Sequence, residues 1–285
     1  MSPRSSTGTV SLEDDDTAPS DRIFQFVVAV YGGVLLAGLV SVGTAPLEGW
    51  PVGLTETYAG GFVVGAIAGS SLARIDPRLP VRLGRTLPRR LASATPAVLF
   101  VGLWLAPLES PPEHVALASA IFIVATAHVL SQLAGNRYVD AVTPGDPERT
   151  WRWEPPGSPV FDLLLAGMWA LLAIVNAVTG SWLEALFWLV IGGGWIASGL
   201  AEGRWAFGPG RDRCAVQYYD TGLVKRRPYT KTFVGWDEID HVRLRGGELV
   251  LDRGLRDVRL ERDALEDPDT VLEAIDRRLA ATDGR

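Results

Sequence analysis

His128 stands inside an apolar run, with Gln132 about one helical turn further on and Asn136 about two turns on. At 3.6 residues per turn, the three share one helix face. An imidazole and two carboxamides can each donate and accept hydrogen bonds. In hydrocarbon, such groups turn into a helix bundle and often mark a path or a site. Asn176, in a later apolar run, is the candidate to face them. Two roles are open for these four residues: hydrogen bonding between helices, or the lining of a transport or permeation path. Metal binding is not expected, because no second His, Cys or carboxylate follows at ligand spacing. The chain also lacks H-E-x-x-H, G-x-S-x-G and G-x-x-x-x-G-K-[ST]. Those patterns supply a metal site with its base, an exposed nucleophile and a phosphate cradle. The triple glycine Gly192–Gly194 lies inside an apolar run, and Pro144–Arg149 reads as a turn. A non-catalytic protein without cofactor or metal is therefore expected.

Two other groups of residues bear on partners. Gly61, Gly65 and Gly69 repeat the G-x-x-x-G spacing, and Ala29, Gly33 and Ala37 echo it in the preceding apolar run. Small residues along one face let helix backbones approach closely. They either pack helices within one chain or form a homodimer interface. Lys225, Arg226, Arg227 and Lys231 crowd one connection near the C-terminal end. They are candidates for contact with anionic lipid headgroups or a protein partner. The alternative is a solvated edge that discourages strand-to-strand association.

The elements that carry these residues follow from hydropathy. Of 285 residues, 47% are hydrophobic, and the chain includes ten Trp and 31 Gly; the mean hydropathy is +0.16. A net charge of -6 provides no basic field for nucleic acid. Lys225 and Lys231 are the only lysines among 27 basic residues, so Arg supplies the rest. Arg-rich, Asp-rich, lysine-poor usage resembles proteins of extreme halophiles, haloarchaea above all; the alternative is a high-GC genome that favours Arg codons. Near 1 M salt the Debye length is about 3 Å, which would confine surface charges to contact range. The single cysteine, Cys214, forms no intrachain disulfide and is expected to be a buried thiol.

Residues 1–22 read as an acidic, disordered tail. Six apolar segments follow within 23–201: Ile23–Val42, Tyr58–Leu72, Leu91–Leu108, Val115–Ala134, Val160–Val178 and Trp182–Leu200. Most approach the ~20 residues that cross ~30 Å of hydrocarbon. The second needs to begin near Leu54, and Pro96 either kinks the third or marks its first turn. Every Arg and Lys falls on one side of a six-span zigzag. The positive-inside rule then places both termini in the cytoplasm of a multi-pass protein of the cell membrane. Trp50, Tyr58, Trp151 and Trp153 suit interfacial anchoring. The Pro-rich loop 136–159 either lies on the inner surface or is a linker.

The pattern changes in 202–285, where sixteen basic and seventeen acidic residues nearly balance. "CAVQYY", "GLVKRR", "KTFVGW", "DHVRLR", "ELVLD" and "DVRLE" alternate as strands between turn residues. Asp267 is placed to cap a helix beginning at Pro268, with Val271, Leu272, Ile275 and Leu279 on one face. The stretches "YDTGL" at Tyr219–Leu223, "FVGWDEIDHV" at Phe233–Val242 and "VRLERDALEDPDTVLEAI" at Val258–Ile275 resemble bacterial-type PH-like domains. Such domains include those attached to membrane spans in YcxB-like proteins. The resemblance spans roughly residues 205–282. It implies a sheet folded over on itself, one open end plugged by the terminal helix. Phe233, Trp236 and Ile239 would be core residues, Asp237 and Glu238 turn residues, and His241 would face outward. The fold class expected is thus six transmembrane helices plus a small β-and-α PH-like domain.

Overall fold

The computed structural model describes residues 18–45, 47, 51–106, 112–155, 159–204, 213–254 and 257–283. Trp50 and residues 1–17 of the acidic tail lie outside the described residues. Helix α1 (Ala18–Thr44) begins inside the expected tail, and α2 (Leu54–Ile75) does start at Leu54. Short helices α3 (Leu79–Gly84) and α4 (Leu87–Ala92) lead to α5 (Thr95–Leu105). Then come α6 (Pro112–Val142), strand β1 (Arg149–Arg152), α7 (Pro159–Val178) and α8 (Trp182–Glu202). Among the described residues, five helices are long and apolar enough to cross a membrane: Arg22–Thr44, Leu54–Ile75, Pro112–Val142, Val160–Val178 and Trp182–Glu202. Much of their apolar surface is uncovered. Leu164, Leu171 and Ile174 of α7 are all exposed, an arrangement that water would penalise and hydrocarbon would not. These helices mark a membrane-associated protein.

The third apolar segment departs from a single long helix. α5 has 11 residues, about 16 Å at 1.5 Å per residue. Pro96 has no N–H to return to the preceding turn. The backbone instead tightens into three-residue steps, Ala94 N to Leu91 O at 2.9 Å and Ala97 N to Ala94 O at 3.0 Å. Pro96 therefore sits in the first turn of α5 rather than kinking a continuous span.

The remaining strands are β2 (Ala215–Tyr219), β3 (Gly222–Arg226), β4 (Lys231–Gly235), β5 (His241–Arg245), β6 (Glu248–Asp252) and β7 (Val258–Glu261), followed by α9 (Pro268–Asp283). They form two antiparallel sheets, β1-β2-β3-β4 and β5-β6-β7. Gly246 and Gly247, both at positive φ, make the two-residue turn whose hand suits a hairpin. Asp267 caps α9 by accepting from Thr270 N at 3.1 Å and from the Thr270 hydroxyl at 2.6 Å; the hydroxyl first, and the backbone N–H second, hold its carboxyl below the usual range. Val271, Ala274 and Ile275 then bury against both sheets, with Leu272 and Leu279 alongside.

Strand β1 comes from the loop expected to be a linker or to lie on the inner surface. Arg149 pairs with Tyr218 and Trp151 with Val216. Beyond β1, Trp153 bridges to Leu265, and Glu154 N donates to Ala264 O at 2.7 Å. The loop thus stitches the two sheets together. Trp151 and Trp153 are not interfacial anchors; both are buried in the sheet core, Trp153 at 1% exposure. Alternate residues of a strand face opposite sides, so both indoles of "WRW" enter the same core. The same alternation corrects Phe233, which is half-buried while Val234 joins Trp236 and Ile239 in that core. Asp237 and Glu238 are exposed in a 3-10 turn. His241 is also exposed, with Nε2 3.2 Å from Asp252. Cys214 is buried.

Candidate functional site

The polar stripe of α6 divides between two environments. His128 and Gln132 line a groove of about 720 Å³ between α6 and α8, closed at one end by Tyr229 and Thr230. His128 Nε2 lies 3.1 Å from Ser198 Oγ of α8. The rest of the groove is largely apolar, with Ile121, Val124, Phe187 and Ile191 among its walls. Asn176 does not join it: its amide donates to Leu172 O of its own helix at 2.8 Å. A helical Asn that finds a carbonyl one turn back has no need of a partner on another helix. Tyr58 is half-buried in α2.

Asn136 leaves the groove and holds the sheet region. Its Nδ2 donates to Tyr229 O at 2.7 Å, and its Oδ1 accepts from Lys231 N at 2.8 Å. One carboxamide thus satisfies both backbone groups at the start of β4, much as a neighbouring strand would. One turn further along α6, Asp140 pairs with Lys231 Nζ. Thr221 Oγ1 donates to Val142 O at 3.0 Å. From the α8 side, Tyr229 N donates to Ala201 O at 3.3 Å. The loop itself is a turn with Pro228 in its second position, closed by Arg227 N to Thr230 O at 2.8 Å.

Three members of the basic connection are engaged within the chain. Lys231 pairs with Asp140. Arg227 pairs with Glu202 at 3.4 Å and lies 5.6 Å from the Trp153 ring centroid. Lys225 sits over the same ring at 4.0 Å. Burial, and secondarily the adjacent Arg227, push the Lys225 ammonium down to about 8. Arg226 is exposed. Of this cluster, Lys231 and Arg227 tie the sheet region to α6 and α8, whereas Lys225 packs within it. Beside it, Arg204 pairs with Glu202 at 3.2 Å and with the buried Asp162 at 3.4 Å, and stacks 4.8 Å from Trp195.

Gly61, Gly65 and Gly69 are buried on one face of α2. A Cβ at Gly61 would meet Ala37 Cα at 2.8 Å, one at Gly69 would meet Val28 O at 2.5 Å, and one at Gly65 would strike Gly32 O. The close approach that a homodimer expectation assigns to a second copy is made by α1 of the same chain.

Sequence reasoning missed Asp140, Ser198, Glu202, Arg204 and Asp162, and read Trp153 as an interfacial anchor. Asp140 extends the stripe by one more turn and was open to detection. Asp162 stands in the first turn of α7 and Arg204 just past the end of α8, far apart in sequence but at the same end of the helix pair. Among the described residues no three His, Cys, Asp or Glu side chains are grouped to hold a metal ion. Compared with known proteins, the chain matches no family model, no curated protein and no solved structure.

Proposed function

We propose that the chain is a six-span protein of the cell membrane, both termini cytoplasmic, whose C-terminal PH-like domain works without catalysis as a scaffold, sensor or assembly module. The observation that carries this reading is the seam at Asn136. A cytoplasmic module gripped by two backbone hydrogen bonds, two ion-paired cations and a turn-to-helix bond is built to respond to, or hold, the helices above it. The seven strands in sheets of four and three, with α9 buried against both, support the PH-like reading. The lysine-poor composition supports a halophilic, archaeal setting. Contact with anionic headgroups or a protein partner through the basic connection falls mainly to Arg226, its exposed member.

The sixth crossing rests on distance. Gly84 packs on Ala134 O, and Arg90 lies beside Gly135 in the second half of α6. Ala97 and Phe100 of α5 cluster with Ala116 and Ala120 near its start. Gly135 and Ala116 are about 28 Å apart along α6, close to the thickness of a hydrocarbon core. The chain through α4 and α5 covers that distance. The apolar walls beside His128 and Gln132 weigh against the alternative of an aqueous transport path there.

Topology is tested by single cysteines and a membrane-impermeant maleimide, with the buried Cys214 replaced by Ser. V52C and S181C are expected to label in intact cells, and G145C and G246C only after permeabilisation. Labelling of V52C and S181C from opposite sides would sink the six-span reading. The docked module is tested by spin labels on α6 and β4 in membranes. One narrow distance distribution is expected, and a broad one would overturn docking.

A further inference from the structure

The groove between α6 and α8 has the shape and polarity of a site for one lipid chain. Its lining runs from Leu117 to Gln132 along α6, about 23 Å at the helix rise, the reach of an extended acyl or isoprenoid chain. At Gly193 and Gly194 an added Cβ would meet no described atom within 4 Å, so two missing side chains of α8 leave the space open. The half near Phe187 is apolar, whereas His128, Gln132, Ser198 and Thr230 gather toward the closed end. That gradient matches an amphiphile with its chain toward the outer leaflet and its polar end toward the sheet region. Water is a poor occupant, because an apolar slot offers it few of the hydrogen bonds it needs.

We propose that this groove binds a single chain of a bilayer lipid, its polar end hydrogen-bonded near Gln132 and Thr230. The proposal rests on the membrane reading above and gives its sensor a ligand class. The closed end is the loop Pro228–Thr230, whose Tyr229 O is held by Asn136. A chain that fills the groove therefore touches the same loop that docks the sheet region, and the two events share free energy.

The test uses the full chain in nanodiscs of phosphatidylcholine carrying a diazirine in one acyl chain. After irradiation, adducts are mapped by peptide mass spectrometry. Adducts on 121–132 and 190–198 are expected to exceed those on the exposed face of α7 several-fold. G193L and G194L, whose added Cβ meets no described atom within 4 Å, are expected to reduce groove adducts at least threefold and leave those on α7 unchanged. Equal labelling of groove and α7, or groove labelling that neither variant reduces, would overturn the site. In a separate arm, a disulfide between two copies carrying Ile191→Cys, with Cys214 replaced by Ser, would overturn it in favour of a second chain as occupant. Absence of adducts on α7 as well would instead defeat the membrane reading on which the site depends.

Discussion

Gly65 and Gly193 both stand in apolar helices, α2 and α8, and both lack a Cβ where another helix passes. At Gly65 the space is taken by the backbone of α1. At Gly193 no described atom comes within 4 Å of it. One glycine row closes a helix pair, and the other opens a groove. The same division runs through the polar residues. Asn136, Asp140, Lys231 and Arg227 are consumed inside the chain, whereas Gln132 and Arg226 are left facing outward or into open space. Membrane helices have little hydrophobic drive toward one another. Close backbone contact is thus a sign of intrachain packing, and a gap is a sign of something else to be bound.

Substitutions can break this contrast. Gly65→Leu drives a side chain into the α1 backbone and is expected to cost at least about 3 kcal/mol, seen as lost monodisperse protein and a lowered thermal midpoint in detergent. Gly193→Leu, the same change on α8, is expected to stay within about 0.5 kcal/mol of the parent. Similar losses from the two would erase the distinction. Asn136→Leu strands Tyr229 O and Lys231 N at a cost of roughly 2 kcal/mol. Amide exchange at Tyr229 and Lys231 should accelerate while that at Val224 and Val234 in the sheet does not. Unchanged exchange would show that Asn136 is not what holds the seam.

A smaller effect is expected at Lys225. Its folded-state pKa lies below the unfolded value of 10.5, at about 8, so the folded state disfavours the proton. The penalty is complete below about pH 8, where both states are protonated. It is relieved between about pH 8 and 10.5, as the folded state alone loses its proton, so stability rises with pH across that window. The Trp153 face offsets part of the penalty. Lys225→Met should raise stability near pH 7 by about 1 kcal/mol and abolish the rise, as read from denaturation midpoints at pH 7 and pH 10. A variant that keeps the parent's pH dependence would acquit Lys225. The smallest change is expected for Arg226→Ala, within about 0.5 kcal/mol. A larger loss would mean that the exposed cation is also used within the fold.

Much of the sheet region was legible because its signals are local. Alternation, paired glycines and the Asp267–Pro268 start act within a few residues, and six strands and α9 lie close to their expected places. β1 escaped because its partner, β2, lies more than sixty residues away and its own four residues sit among prolines. The period of two in Trp151 and Trp153 was its one local trace. Asn176 was misjudged because helical spacing says which face a residue occupies, not whether its own backbone already satisfies it. Phe233 was misjudged because two neighbouring apolar residues compete for one face, and register with Leu223 chose Val234.

Hydropathy, alternation and capping determined on their own which stretches become apolar helices, which become strands and where α9 begins. These depend on side-chain size, polarity and backbone freedom over one or two turns. Only the tertiary structure decided that Gly65 is filled and Gly193 open, that Trp153 is core rather than anchor, and that Lys225, Arg227 and Lys231 are turned inward. The reason is geometric. A residue pattern defines a face, but the rotation and approach of a distant element decide what that face meets.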